Sequence, residues 1–210
     1  MGKTVLLVRH GEALGSAPRT LLGRTDTPLS EEGRRQAAGI ANLLPPEGEA
    51  GGEILYLTSP LLRATETAAI ATAGRRVDFQ LDPDLVEIDF GEWEGRRFPE
   101  LRDLYPEQVE RWSNSPLEFT FPGGENLSDF WARMTRVGRR IAAADAGFVI
   151  VFTHGGVVRA LICHFLGLEL RHYVVFDVRL AAVATLRLWG DRGTLVGLAA
   201  EHSPAWVREG

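Results

Sequence analysis

The chain has very little cysteine. Cys163 is the sole cysteine in 210 residues, so no intrachain disulfide can form, and a reducing cytoplasm is the expected compartment. It falls in a stretch that reads as a helix, where a lone thiol serves as a small buried apolar group. No apolar run approaches the ~20 residues that span a bilayer, and the first residues lack a basic stretch leading into a long apolar one. Leu6 stands where a myristoylation signal after Gly2 would require Ser or Thr, so neither a targeting segment nor a membrane partner is expected. The arginines at 9, 24, 63, 96 and 97 are scattered among acids and the formal charge is −5, which argues against nucleic acid. Of the histidines, His164 and His172 lack a partner at helical ligand spacing and His202 lies in the tail; no metal and no other cofactor is expected. Internal repeats and low-complexity tracts are absent as well.

With 45% apolar residues the chain can bury one sizeable core, and strand and helix signals alternate without a linker, so a single domain over residues 1–210 is expected. Residues 4–8, 54–57, 77–81 and 148–152 read as strands, with strand-like segments at 181–188 and 194–198 around the turn 190–193. Helices are expected over 30–44, capped by Ser30 and ended by Pro45-Pro46, then over 99–112, 127–144 and 157–166, with a loop at 46–52. Phe130, Met134, Val137 and Ile141 recur at helical spacing and form a core stripe. This order predicts an α/β fold, a mixed and mostly parallel sheet flanked by helices on both faces.

Two strands end in histidine. Arg9-His10-Gly11-Glu12 follows the first, and Thr153-His154-Gly155-Gly156 closes the one at 148–152 and opens a helix. In an open α/β sheet ligands bind at the carboxyl ends of strands, and glycines with a helix N-terminus admit an anion closely. A guanidinium beside an imidazole suits a phosphate that is held and then attacked. Between these segments, Ser59 is read as a helix N-cap with Pro60 at N1, which places Arg63 in the first helical turn. A cation there opposes the macrodipole, so Arg63 is either well solvated or held by an anionic ligand.

Four segments, Arg9-His10-Gly11-Glu12, Ser59-Pro60-Leu61-Leu62-Arg63-Ala64-Thr65-Glu66-Thr67, residues 85–95 around Glu87, and Thr153-His154-Gly155-Gly156, together resemble the histidine phosphatase superfamily, with its phosphoglycerate-mutase-like fold. The resemblance implies His10 as a nucleophile forming a phosphohistidine, Arg9, Arg63 and His154 as holders of the phosphoryl oxygens, and Glu87 as general acid. Without it, Glu87 reads as an exposed loop carboxylate, with Asp89, Glu92 and Glu94 as rivals nearby. Substrate contacts are expected from Arg9, Ser16, Gly23, Arg24, Arg63 and Gly155, and Phe90 or Trp93 could offer a stacking face.

Within the family the short region after Gly95 and the Pro122-Gly123-Gly124-Glu125 turn are similar to the phosphatase branch. The implied activity is metal-independent hydrolysis of a small phosphate ester. A cofactor-dependent phosphoglycerate mutase is the alternative, although mutases usually carry Asn where this chain has Ser16. Residues 23–30 resemble a stretch of α-ribazole phosphatases, which makes α-ribazole 5′-phosphate a candidate substrate. A non-catalytic phospholigand binder is the alternative of another class, and the presence of both His10 and Glu87 speaks against it. The oligomeric state is left open, with a homodimer as one option.

Overall fold

A computed structural model describes residues 2–16, 19–46, 53–114 and 116–199. Its regular elements in chain order are β1 (Lys3–Arg9), α1 (Glu31–Ile40), β2 (Ile54–Thr58), α2 (Leu62–Ala71), β3 (Phe79–Leu81), α3 (Phe98–Leu104), α4 (Pro106–Asn114), α5 (Leu127–Ala143), β4 (Phe148–Thr153), α6 (Gly155–Leu166), β5 (Val183–Trp189) and β6 (Arg192–Ala199). The strands form one sheet in the order β3-β2-β4-β1-β5-β6. The pairs β3-β2, β2-β4 and β4-β1 are parallel, while β5 runs antiparallel to β1 and β6 antiparallel to β5. The expected mixed, mostly parallel sheet is therefore present.

Because successive side chains of a strand point to opposite faces, the apolar run of β1 serves two cores. Leu6 and Val8 join Tyr56, Ile150 and Phe152 on one face, against Ile40 of α1 and Ala68 and Ala71 of α2. Val5 and Leu7 join Leu57, Val149 and Val151 on the other, against Phe130, Met134, Val137 and Ile141 of α5 and Val158, Leu161 and Ile162 of α6. Strands covered on both faces need continuous apolar runs, which is why β1 and β4 carry them. Lys3 fastens β1 to the end of α5 by donating to the carbonyls of Ile141 (2.7 Å), Ala142 (2.8 Å) and Ala144 (2.7 Å), where the helix dipole favours a cation. Ser30 caps α1 as expected, its hydroxyl accepting from Gly33 N at 3.0 Å.

Three expectations need correction. The single helix over 99–112 is two helices, broken at Tyr105 (φ −133°, ψ 53°), because Pro106 disfavours helical geometry in the residue before it. Helix α2 begins at Leu62, not at Pro60, and Ser59 is not its cap; the orphan N–H of Leu62 donates instead to Asp26 Oδ1 from a distant loop, at 2.7 Å. The β5–β6 turn is only Gly190-Asp191, since β6 already starts at Arg192. The expected loop at 46–52 lies, beyond Pro46, outside the described residues, as does His202.

Candidate active site

Sheet register builds the centre of the site. Arg9 pairs with Thr153 as β1 and β4 end side by side, so His10 and His154, each the next residue, emerge together. Their ring centroids lie 5.2 Å apart with planes at 63°, and both side chains are buried. His10 Nδ1 is 2.6 Å from the Gly11 carbonyl. A carbonyl only accepts, so the ring proton sits on Nδ1, and Nε2 keeps its lone pair. Burial first, and then the charges of Arg9 and Arg63, push the His10 pKa well below 6.5, which keeps the ring neutral. The His154 pKa is lowered in the same way, by burial first and then by Arg63, His10 and Arg9. Its Nε2 lies 2.8 Å from Ser59 Oγ, the partner Ser59 has in place of a helix cap.

Arg63 is 0% exposed, which overturns the solvated reading. Its Nη1 donates to the Thr25 carbonyl (2.7 Å), its Nη2 to Gly23 (2.6 Å) and its Nε to His10 Nε2 (3.3 Å). Arg9 Nη1 donates to the Val178 carbonyl at 2.7 Å. Burial lowers the pKa of Arg9 to about 10, with Glu87 opposing the shift, so the guanidinium remains charged at neutral pH. Two polar atoms of this cluster, Arg9 Nε and His154 Nδ1, are buried without a hydrogen-bond partner among the described residues.

Glu87 is not an exposed loop carboxylate, being only 9% exposed. Its Oε2 accepts from Gly156 N at the start of α6 and its Oε1 from Ile88 N, each at 3.1 Å. Gly156 is required there, because a Cβ would lie 2.5 Å from Glu87 Oε1. Of the four neighbouring acids only Glu87 lines the cavity of about 1640 Å³ that opens beside His10. Asp89 instead accepts from Gly91 N (2.9 Å), and Glu94 from the backbone N–H groups of Arg24 (2.6 Å) and Thr25 (2.9 Å).

Ser16, Gly23 and Gly155 line the same cavity. Arg24 does not; its half-exposed side chain is directed to Asp89 (3.9 Å) and Glu125 (3.8 Å). Trp93 cannot offer a stacking face, since it is 1% exposed and packed among Tyr105, Trp112, Phe119 and Phe121. Phe90 does reach the cavity, together with Phe98, Trp112 and Tyr173. The sequence reading missed Arg159, which lines the cavity from α6 and donates Nε to the Phe176 carbonyl at 2.9 Å. Its signal was available: it stands four residues after Gly155 on a helix, hence on the same face. Cys163 is fully buried, and burial pushes its thiol up to about 12. Among the described residues no group of three or more His, Cys, Asp or Glu is placed to hold a metal, and no helix is long and apolar enough to cross a membrane.

The chain is similar to several known proteins. A bifunctional protein of Mycobacterium tuberculosis is 37% identical over 159 residues, 75% of this chain but 43% of that protein, so the chain spans less than half that relative's length. Phosphoserine phosphatase 1 of Hydrogenobacter thermophilus is 28% identical over 195 residues, covering 92% of this chain and 90% of its own. The solved α-ribazole phosphatase of Shigella flexneri superposes with a TM-score of 0.80 at 26% identity, over 95% of this chain and 98% of its own. A family model described as histidine phosphatase superfamily (branch 1) matches residues 5–201, a span that takes in both strand-end histidines, Arg63 and Glu87. On that match the chain belongs to the histidine phosphatase superfamily, branch 1.

Proposed function

We propose that the chain is a phosphomonoesterase acting through a phosphohistidine, with residues 1–210 as one catalytic domain. The observation that carries this reading is the pair of buried, unpartnered atoms Arg9 Nε and His154 Nδ1 in the same cluster as an unprotonated His10 Nε2. An unmet buried polar group costs about 1–3 kcal/mol, and phosphoryl oxygens would meet both. The His154 tautomer that serves this role carries its proton on Nδ1 and accepts from Ser59 Oγ–H at Nε2, 2.8 Å away.

In the first half-reaction the His10 Nε2 lone pair attacks phosphorus in line with the leaving oxygen. The P–O bond breaks as Glu87, entering protonated, passes its proton to the departing alkoxide. The Nδ1–H bond to the Gly11 carbonyl orients the ring and supports the charge it acquires. In the second half-reaction the Glu87 carboxylate takes a proton from water while the water oxygen attacks phosphorus. The P–N bond breaks, its electron pair returns to Nε2, and phosphate leaves. Arg9, Arg63 and His154 hold the equatorial oxygens throughout, and two guanidinium groups supply the charge neutralisation that phosphoryl transfer requires without a metal. Ser16, Gly23 and Gly155 line the substrate's path, and Arg24 is left out of this set.

The finer reading is a leaving group with a flat face, with α-ribazole 5′-phosphate as the first candidate. It is supported by the rings of Phe90, Phe98, Trp112 and Tyr173 along the cavity and by the named activity of the Shigella flexneri neighbour. A single, fully buried thiol fits a cytoplasmic location. The test is phosphate release by the chelated, purified chain from α-ribazole 5′-phosphate, phosphoserine and 3-phosphoglycerate. Hydrolysis is expected, fastest for the first. Isomerisation of 3-phosphoglycerate without phosphate release, or activity lost on chelation and restored by a divalent ion, would contradict it.

A further inference from the structure

The segment carrying Glu87 lies between the short strand β3 and α3 and forms no ladder of its own. Its shape is set by side chains, above all by Arg133 of α5. Arg133 is 6% exposed, and its guanidinium rests on the Phe130 ring, 5.1 Å from the centroid. Its Nη1 donates to the carbonyls of Asp84 (2.6 Å) and Val86 (2.8 Å), the second belonging to the peptide that enters Glu87. Its Nε and Nη2 bind the two oxygens of Glu125 at 3.1 and 2.9 Å in a forked pair. Glu125 in turn clasps the other side of the acid, its N–H donating to the Asp89 carbonyl (2.9 Å) and its Oε2 accepting from Asp89 N (3.3 Å). The turn holding Glu125 packs against Gly91 (φ +54°), where a Cβ would sit 2.2 Å from the Pro122 carbonyl.

We propose that Arg133 is a positioning residue for the reaction, gripping the chain on both sides of Glu87 through Asp84, Val86 and Glu125 so that the carboxyl faces the leaving oxygen. A buried ion pair is a poor source of stability compared with apolar residues of the same volume, so a pair of this kind is better explained by the one conformation it selects. Lysine, a point charge without the planar fork, cannot serve the same four acceptors. The proposal rests on Glu87 being the acid.

Steady-state kinetics on an alkyl phosphate and on p-nitrophenyl phosphate, whose leaving group needs little protonation, test it. Arg133→Met should lower kcat/KM, which reports the first half-reaction, on the alkyl ester by roughly 10–100-fold and on the aryl ester by less than about 3-fold, since small displacements of a catalytic group cost rates of that order. Arg133→Lys should recover only part of the loss, and Glu125→Gln, which keeps the shape of the side chain, should show the same pattern more weakly. In Glu87→Gln/Arg133→Met the alkyl rate should fall no further than in Glu87→Gln alone. Equal losses on both esters, or additive losses in the double variant, would overturn the positioning role. Should Glu87→Gln itself lack leaving-group dependence, the assignment of the acid fails instead.

Discussion

The two halves of the site are held by different means. His10 and His154 sit at the ends of neighbouring parallel strands, and the register that pairs Arg9 with Thr153 sets them side by side. Glu87 sits outside the strands and α-helices, in a segment whose carbonyls accept from Arg133 and Thr153 and whose Asp89 N–H donates to Glu125, while its own carboxylate accepts from Gly156 N. Backbone ladders thus place the nucleophile, while side-chain hydrogen bonds place the acid. The first arrangement is rigid by construction; the second depends on single residues and is the one that substitutions at a distance can disturb.

The difference can be sharpened by separating the chemistry of the two halves. Glu87→Gln should lower kcat/KM, which reports the first half-reaction, by roughly 10²–10⁴-fold for an alkyl phosphate and far less for p-nitrophenyl phosphate, because in that step only a poor leaving group needs the proton. Arg63→Ala should slow both esters alike, by about 10²–10³-fold in kcat/KM, as expected when a donor to the phosphoryl oxygens is lost. A leaving-group dependence in Arg63→Ala, or its absence in Glu87→Gln, would break the division of labour.

Acid should affect the strand-end half in a way that can be read by pH. His10 and His154 are held neutral in the fold, with pKa values below 6.5, whereas the unfolded chain takes up protons near that value. More protons are then bound by the unfolded state, so their contribution to stability is present above pH 6.5 and lost as pH falls below it. The melting temperature should decline on acidification, and the slope should lessen in His10→Ala. A slope unchanged by that substitution would contradict a buried neutral His10. Over about pH 8 to 6.5 His10 should impose no loss of phosphoryl transfer, since its Nε2 stays unprotonated.

A smaller effect is expected at Asp26, which caps α2 from a distant loop. Asp26→Ala should cost about 1 kcal/mol in denaturant unfolding and leave the leaving-group dependence unchanged. A selective loss on alkyl esters would mean that the cap serves the acid rather than the helix bearing Arg63.

Legibility in the sequence follows the same division. The apolar runs ending at Arg9 and Thr153, with glycines after each histidine, showed two strands that end in histidine, the alternation of strands and helices pointed to a mostly parallel sheet, and the family resemblance implied that His10 and His154 share one site. The stripe of Phe130, Met134, Val137 and Ile141 likewise showed which face of α5 is buried. Ser59 was misassigned because a serine before a proline carries a strong local cap signal, whereas its real partner, His154, is 95 residues away. The solvated reading of Arg63 failed for a similar reason, since the Gly23 and Thr25 carbonyls that receive it come from a remote loop. Arg133 gave no sign at all: an arginine on an amphipathic helix reads as a surface charge until the carbonyls of Asp84 and Val86 are seen beneath it. The break before Pro106, by contrast, was written in the sequence.

The central claim is that the neutral Nε2 of His10 takes the phosphoryl group. It is tested most directly by quenching the enzyme within a turnover of ³²P-labelled ester and measuring the stability of protein-bound label. An N–P bond survives alkali and is lost in acid, so the account predicts alkali-stable, acid-labile label on the wild type and none on His10→Ala. Label of that stability persisting in His10→Ala, or wild-type label that resists acid, would contradict it.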